Sequence, residues 1–369
     1  MDTTRHVERL ERVRAVLATS DAEWLLLPAS ADFRWLSGAH ARSSERLLVL
    51  AVPRLGDPFC LVPKLEADAL AIECPWLEQE VWEDHEPAYD RLARRLDLAR
   101  RPSLLLGEGF RTTPLLMLSA AAACRPAAPA LEPLRASKDA GELRALEEAG
   151  RHADRIVQEA AERLRPGVTE REVGRFVLER FEALGDTDPW ALIASGPNSA
   201  LPHHSSSSRR IEDGDVVIVD VGAYTDGYGS DITRTFYVGT PPAEAERVYD
   251  AVDRARRAGI AAVRAGVAAG DVDRAARAVI EEAGYGPAFK HRTGHGVGLE
   301  VHEPPYIVAG SRIPLAAGNV HSVEPGIYLD GRFGVRLEDL VVVEPGAARR
   351  LNDAPFAPRT EGVGGGARR

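Results

Sequence analysis

Twice in its C-terminal part the chain passes through two helical stretches and into a β-hairpin built on an Asp-Gly turn, and an acidic residue interrupts each strand of both hairpins. In the first round, helical periodicity covers Ser137 to Arg165, and Thr169 with Glu172 forms a capping box that opens a second helix. The strand-type runs DVVIVDVGAY and YGSDITRTFYVG then flank Asp226-Gly227. In the second round, helical patterns at Ala243 to Ala265 and Val272 to Ala283 precede NVHSVEPGIYL, an Asp330-Gly331 turn, and GVRLEDLVVV. A repeated helix, helix, hairpin unit predicts an α+β domain with a pseudo-twofold repeat and a central antiparallel sheet.

Upstream, an opening helix (about Thr4 to Ala18) is followed by the apolar runs EWLLLP, RLLVLAVP and PSLLLG, with helical patterns between them. Alternating strands and helices predict a small α/β domain. The stretch CRPAAPALEPLRAS, Cys124 to Ser137, carries prolines among alanines and reads as a linker. The expected organisation is an N-terminal domain over 1–133, a second domain over 134–355, and a disordered glycine-rich tail over 356–369.

With 56 acidic against 46 basic residues and a net charge of -10, the chain has no electrostatic footprint for nucleic acid or an anionic membrane surface. The N-terminus is charged throughout and lacks the apolar core of a signal peptide. No run approaches the roughly 18 apolar residues of a membrane span. Cys60, Cys74 and Cys124 lack metal-type spacing and fit buried thiols in a reducing compartment. A cytoplasmic location is expected.

The first hairpin permits a geometric statement. A two-residue turn at Asp226-Gly227 pairs Thr225 with Tyr228, so Asp220 faces Thr233 and Asp231 faces Gly222. Both aspartates then project from one face, roughly 7 Å or less apart at their β-carbons. Either alone would pass for a strand-end acid paired with Arg234. The surrounding VVIVDVGA, however, is a poor setting for a surface residue, and two carboxylates inside an apolar sheet repel unless a cation sits between them.

The second hairpin carries Glu324 and Glu338, but a two-residue turn at Asp330-Gly331 sets Glu324 opposite Leu337 and Glu338 on the other face. Convergence requires a register shift by an odd number, for which Pro325-Gly326, Gly331 or Gly334 offer the means. In GHGVGLEVHE, Gly294, Gly296 and Gly298 clear space around His295, as backbone does where it approaches an ion or substrate. One imidazole with four carboxylates is a mixed ligand set suited to two divalent cations sharing carboxylates. His302, and His203 in SGPNSALPHHSSSS, carry no assignment from spacing alone.

Together these residues resemble the pita-bread metallohydrolases that include methionine aminopeptidase, aminopeptidase P and prolidase. The likeness to the Xaa-Pro branch runs through LRASKDAGELRALEEAGRHAD, SGPNSALPHH, IVDVGAYTDGYGSDITRTFYVG, GHGVGLEVHEPP, SVEPGIY and GVRLEDLVVV, nearly all of residues 134–345. Residues before Leu134 are similar to the creatinase-type domain of that branch, with ADFRWLSGA as the shared motif.

The resemblance implies a ligand set of Asp220 on one metal, Asp231 and Glu338 bridging both, and His295 with Glu324 on the other. It implies substrate and intermediate contacts by His203 and His302, a proton shuttle at Glu324, and support from Arg336 and Thr233, the latter orienting Asp220. It further implies two divalent ions, manganese or cobalt with zinc as a third candidate, and a metal-bridging hydroxide that cleaves short proline-containing peptides. A homodimer is expected, its N-terminal domain walling the entrance, with the region around Trp35 as the contact. Where the branch commonly has an aromatic, this chain has His321, expected on the face opposite Glu324 and so to affect packing or specificity. Competing readings are a non-peptidase hydrolase or lyase of a small amide, and a peptide-binding scaffold; the intact ligand set argues against the scaffold.

Overall fold

The structure, a computed structural model, describes residues 3–356. It divides into two compact units, Met1–Arg135 and Ala136–Arg369.

The first unit holds helices α1 (Thr3–Thr19), α2 (Ala31–Ser37), α3 (Lys64–Glu73), α4 (Ala88–Arg95), α5 (Thr112–Ala121) and α6 (Ala128–Ala136). Its strands are β1 (Trp24–Pro28), β2 (Val49–Pro53), β3 (Phe59–Pro63), β4 (Glu78–Trp82), β5 (Ser103–Leu106) and β6 (Ala123–Pro126), in the order β4-β3-β2-β1-β5-β6. The sheet is mixed: β1 runs antiparallel to β2 and parallel to β5. This is the expected α/β arrangement.

The linker reading of Cys124 to Ser137 is overturned, because that stretch forms β6 and α6. Two of its three prolines suit these positions, while Pro133 lies inside α6. Pro126 closes an edge strand, where a missing N–H breaks no ladder, and Pro129 lies in the first turn of α6, where the N–H would be unpaired anyway. Leu131 of α6 is buried at 2% exposure. Trp35, expected at a contact surface, is likewise buried, with the Arg9 and Arg12 guanidiniums 5.0 and 5.7 Å from its ring centroid.

The second unit contains α7 (Ala140–Ala161), α8 (Glu170–Ala183), α9 (Ala243–Ala262) and α10 (Ala269–Glu282). Asp139 caps α7 and Thr169 caps α8, each in a reciprocal capping box with the glutamate three residues on, Glu142 and Glu172. Strands β7 (Thr187–Ser195), β8 (Val216–Thr225), β9 (Tyr228–Gly229) and β10 (Ile232–Tyr237) form one antiparallel sheet. The strands β11 (Gly294–Gly296), β12 (Glu303–Ile307), β13 (Val320–Val323), β16 (Asp339–Val343) and β17 (Ala348–Arg350) form another, and β14 (Gly326–Leu329) pairs with β15 (Phe333–Arg336). The repeat extends to detail, since an isolated bridge from Thr169 to Arg210 in the first half has its counterpart from Ala268 to Pro314 in the second.

Strand parity positions the site. Val217, Val219, Val221 and Ala223 of β8 join Ile156, Val157, Val173, Val177 and Phe181 of α7 and α8 in one apolar core. The alternate residue Asp220 therefore points to the opposite face of the sheet.

Phe356, assigned to the tail from sequence, is packed, with the Arg234 and Arg256 guanidiniums 4.0 and 3.7 Å from its ring centroid. The rest of the expected tail, 357–369, lies outside the described residues. Among the described residues, no helix is long and apolar enough to cross a membrane.

If α6 is a packed element, Leu131→Ala should destabilise the protein by about 2 to 4 kcal/mol in denaturant unfolding, as large-to-small core changes do. A shift below about 0.5 kcal/mol, the range of a surface change, would restore the linker reading.

Candidate metal centre

The first hairpin has the register its turn dictates: Thr225 lies opposite Tyr228, and Thr233 opposite Asp220. In the second hairpin the connection is Asp330-Gly331-Arg332, with Gly331 at φ 70° and Arg332 N donating to Leu329 O at 2.9 Å. The two-residue turn expected from Asp330-Gly331 is thus one residue short. That extra residue supplies the odd shift, and neither Pro325-Gly326 nor Gly334 is needed for it. Gly326 lies opposite Arg336 and Val323 opposite Asp339, which sets Glu324 across from Glu338.

At that level the ladder opens. Glu324 N donates instead to Thr293 O at 2.8 Å, and Glu338 N to Thr233 O at 3.1 Å. The two glutamates are thereby turned toward a cavity of about 530 Å³ lined also by Asp220, Asp231, His295, His203, His302, His291 and Arg336.

Asp231, His295 and Glu338 present ligand atoms that all lie within 4.8 Å of one another, and all three side chains are buried. His295 Nδ1 lies 3.2 Å from Gly296 O, while Nε2 faces Glu324 Oε1 at 3.2 Å and Asp231 Oδ2 at 3.8 Å. A neutral imidazole has one N–H, so with Nδ1–H turned to Gly296 the Nε2 lone pair meets carboxylate oxygens unless a cation or proton intervenes. Buried Asp220 Oδ1 and Glu338 Oε1 accept no hydrogen bond. Burial and the neighbouring Glu338 and Asp220 push Asp231 well above the usual carboxylate range. Glu338 is raised in the same way by burial, Glu324 and Asp220. Orphaned oxygens and mutually repelling acids around one imidazole fit divalent ions, which supply the missing charge.

Glu324 goes the other way. Burial opposes its ionisation, but the hydrogen bond and charge of His295 hold it down to about 2. Asp220 is raised by burial, and Arg336 resists that rise through a short ion pair to Oδ2. Arg336 also donates to Tyr328 Oη at 2.9 Å and to Pro202 O at 3.2 Å.

Two positions differ from expectation. The Thr233 hydroxyl donates to Glu338 Oε2 at 2.7 Å and accepts from Arg336 Nε at 3.1 Å, so it orients Glu338 and not Asp220. Arg234, the alternative partner of the aspartates, is instead bound to buried Asp339 at 2.8 Å, which Arg256 also pairs with.

The glycines around His295 admit neighbouring backbone and the Glu303 carboxylate. A β-carbon on Gly294 would stand 2.0 Å from Ser322 O, one on Gly296 2.4 Å from Pro304 O, and one on Gly298 2.5 Å from Glu303 Oε1. They let β11 close on β12 and β13, which is how His295 comes to the cavity floor.

His321 is fully buried, its Nδ1 donating to Ser322 O at 2.9 Å, and burial lowers its pKa to about 4. His203 and His302 are exposed at the cavity wall, with the His302 ring edge-on to His295 at 4.2 Å between centroids. Lost hydration on the packed side and the nearby His295 lower the pKa of His302, leaving it neutral at pH 7.

Sequence reasoning missed His291 and Tyr328. His291 Nδ1–H donates to Arg292 O at 2.7 Å, and its Nε2 accepts from the Tyr328 hydroxyl at 2.8 Å, which in turn accepts from Arg336. His291 stands in irregular sequence, where no period marks it. Tyr328 reads as an ordinary strand aromatic.

A duplicated sheet with a carboxylate and histidine cluster on its inner face defines the pita-bread class of metalloenzyme. Residues 144–345 match metallopeptidase family M24, and residues 9–136 match the creatinase/prolidase N-terminal domain. The crystal structure of dipeptidase PepE from Mycobacterium ulcerans aligns with a TM-score of 0.93 at 38% identity, covering 98% of this chain and 99% of that one. Prolidase from Thermococcus sibiricus aligns with a TM-score of 0.90 at 34% identity, covering 97% and 99%. The Xaa-Pro dipeptidase of Pyrococcus furiosus is 41% identical over 223 residues, 60% of this chain and 64% of that protein. The chain belongs to metallopeptidase family M24.

The raised carboxyls give a pH test. Asp231 and Glu338 hold protons to higher pH folded than unfolded, so in the metal-free protein these two acids contribute stability that is lost as pH rises above about 4. Glu324 has the opposite sign, its contribution being lost only as pH falls toward about 2. Added manganese should therefore raise the Tm of chelator-treated protein more at about pH 7.5 than at about pH 5. Equal shifts in differential scanning calorimetry would count against these acids as ligands.

Proposed function

We propose that this protein is a dinuclear metal-dependent peptidase that cleaves Xaa-Pro bonds of short peptides. The observation that carries the reading is the convergence of Asp220, Asp231, Glu324 and Glu338 with His295, two of whose carboxylate oxygens lack any donor. Asp220 would serve one ion, Asp231 and Glu338 would bridge, and His295 with Glu324 would complete the other. This oxygen-rich set suits manganese or cobalt, while raw affinity favours zinc. When bound, two such ions would activate water near neutral pH and polarise the scissile carbonyl.

The chain's own residues do the rest. Glu324, which lies beside His295 and accepts from Ser322 Oγ at 3.1 Å, is placed to take a proton and return it to the leaving nitrogen. His302, neutral and exposed to the cavity, can donate one N–H to oxygen as charge develops there, and His203 lines the same wall. Arg336 holds Asp220 and Tyr328 in place. The nitrogen of an Xaa-Pro bond carries no N–H, so a site that grips the carbonyl loses nothing to proline. The relatives' names, Xaa-Pro dipeptidase and prolidase, support this substrate class.

The N-terminal unit is proposed to limit entry to short substrates within a homodimer. Free thiols at Cys60, Cys74 and Cys124 support a reducing, cytoplasmic setting.

With manganese added, the protein should hydrolyse Ala-Pro or Ala-Pro-Ala and leave Met-Ala, and sediment as a dimer. Preference for Met-Ala, or no hydrolysis in any panel member with metal saturated, would sink the reading. His302→Ala should lower kcat by about 100-fold or more, as loss of an oxyanion donor does, with metal content unchanged by elemental analysis. Loss of metal in that variant would make His302 a ligand.

A further inference from the structure

Behind the loop that carries His203 lies a carboxylate that the proposed chemistry does not use. Glu170 is the first residue of α8, and its side chain is wholly inaccessible. Oε1 accepts from Ser195 N at 2.8 Å, Ser195 Oγ at 2.8 Å and Asn198 Nδ2 at 3.0 Å. Oε2 accepts from His204 Nε2 at 2.8 Å, Ser207 N at 2.9 Å and Ser207 Oγ at 2.6 Å. A carboxylate has about four lone-pair sites, so these donors saturate it, and all of them come from segment 195–207. Burial opposes ionisation, yet Ser207, Asn198 and His204 hold Glu170 at about 2. The helix N-terminus favours the same charge.

The internal repeat shows that the fold itself does not demand this acid. In the second half, Gly266 N donates to Leu315 O and Leu315 N to Val267 O, each at 2.8 Å, matching Gly167 with Ile211 and Ile211 with Val168 in the first. The residue equivalent to Glu170 there is Ala269, and the turn into α10 forms without a carboxylate. In the first half the acid at this position holds the loop from Ser195 to Ser207 at both ends. Between those ends stand His203, on the cavity wall, and Pro202, whose carbonyl accepts from Arg336.

We propose that Glu170 is a positioning residue that closes the 195–207 loop and thereby aims His203 into the cavity. The inference rests on the reading of His203 as a substrate contact.

The test uses the full chain with manganese and compares wild type, Glu170→Gln, His203→Ala and the double variant. Glu170→Gln should speed amide hydrogen exchange across 195–207, leave metal content unchanged, and lower kcat/KM for Ala-Pro by about 10- to 100-fold. The double variant should fall no more than about twofold below His203→Ala, because the second change acts through the first. Should Glu170→Gln not fold, Ser207→Ala and Asn198→Ala remove donors and keep the acid, with the same loop exchange and non-additivity expected. Unchanged exchange in 195–207, loss of metal, or losses that multiply in the double variant would overturn the proposal. A wild type that leaves both Ala-Pro and Ala-Pro-Ala intact sinks the peptidase reading alone, because the exchange measurement still decides whether Glu170 holds the loop.

Discussion

Gathering four carboxylates around one cavity is unfavourable unless each is held from behind and something positive faces them in front. Much of the polar interior of the second unit provides that backing. Arg336 takes one oxygen of Asp220, and Thr233 takes one oxygen of Glu338. Behind the site, Arg234 donates to the carbonyls of Thr233 and Glu338 and pairs with Asp339, while Phe356 covers its guanidinium. What remains without a donor is one buried oxygen each on Asp220 and Glu338, and the Nε2 of His295 faces the carboxylates of Glu324 and Asp231.

The same organisation recurs in the two histidine-bearing segments. Buried Asp273 of α10 accepts from Thr293 N and Oγ1 and so fixes the backbone next to His295. Lys138 and Glu303 form a buried pair at 2.7 Å beside His302. Each half of the repeat thus uses an acid from its second helix, Glu170 or Asp273, to hold irregular chain against the sheet. Removing a single partner from such a buried pair leaves an uncompensated charge, which is why these contacts act as geometric constraints more than as sources of net stability.

Much of this was legible locally. The capping box at Thr169, the helix it opens, and the Asp226-Gly227 hairpin follow from side chains within a few residues of each other. Parity then placed Asp220 opposite Thr233 without knowledge of the sheet. The prolines of 124–137 misled because their meaning depends on context. At an edge strand and a first helical turn Pro126 and Pro129 cost little, and only the position of β6 in the sheet reveals the first of these. The glycines of GHGVG were read as room for an ion, but what they admit is the backbone of β12 and β13 and the Glu303 carboxylate.

By itself the sequence determined most of the elements, the duplication, the register of the first hairpin and the identity of the acids, because backbone geometry and strand parity are short-range properties. Tertiary structure decided which atoms meet. The third residue in the 330–332 loop and the switch of Glu324 and Glu338 to Thr293 and Thr233 bring the glutamates together. Thr233 serves Glu338 and not the Asp220 it faces in the ladder, and Glu170 holds a loop that begins 25 residues away in sequence. Such pairings join strands and helices that no local pattern connects, and they exist only once the two halves of the repeat have packed.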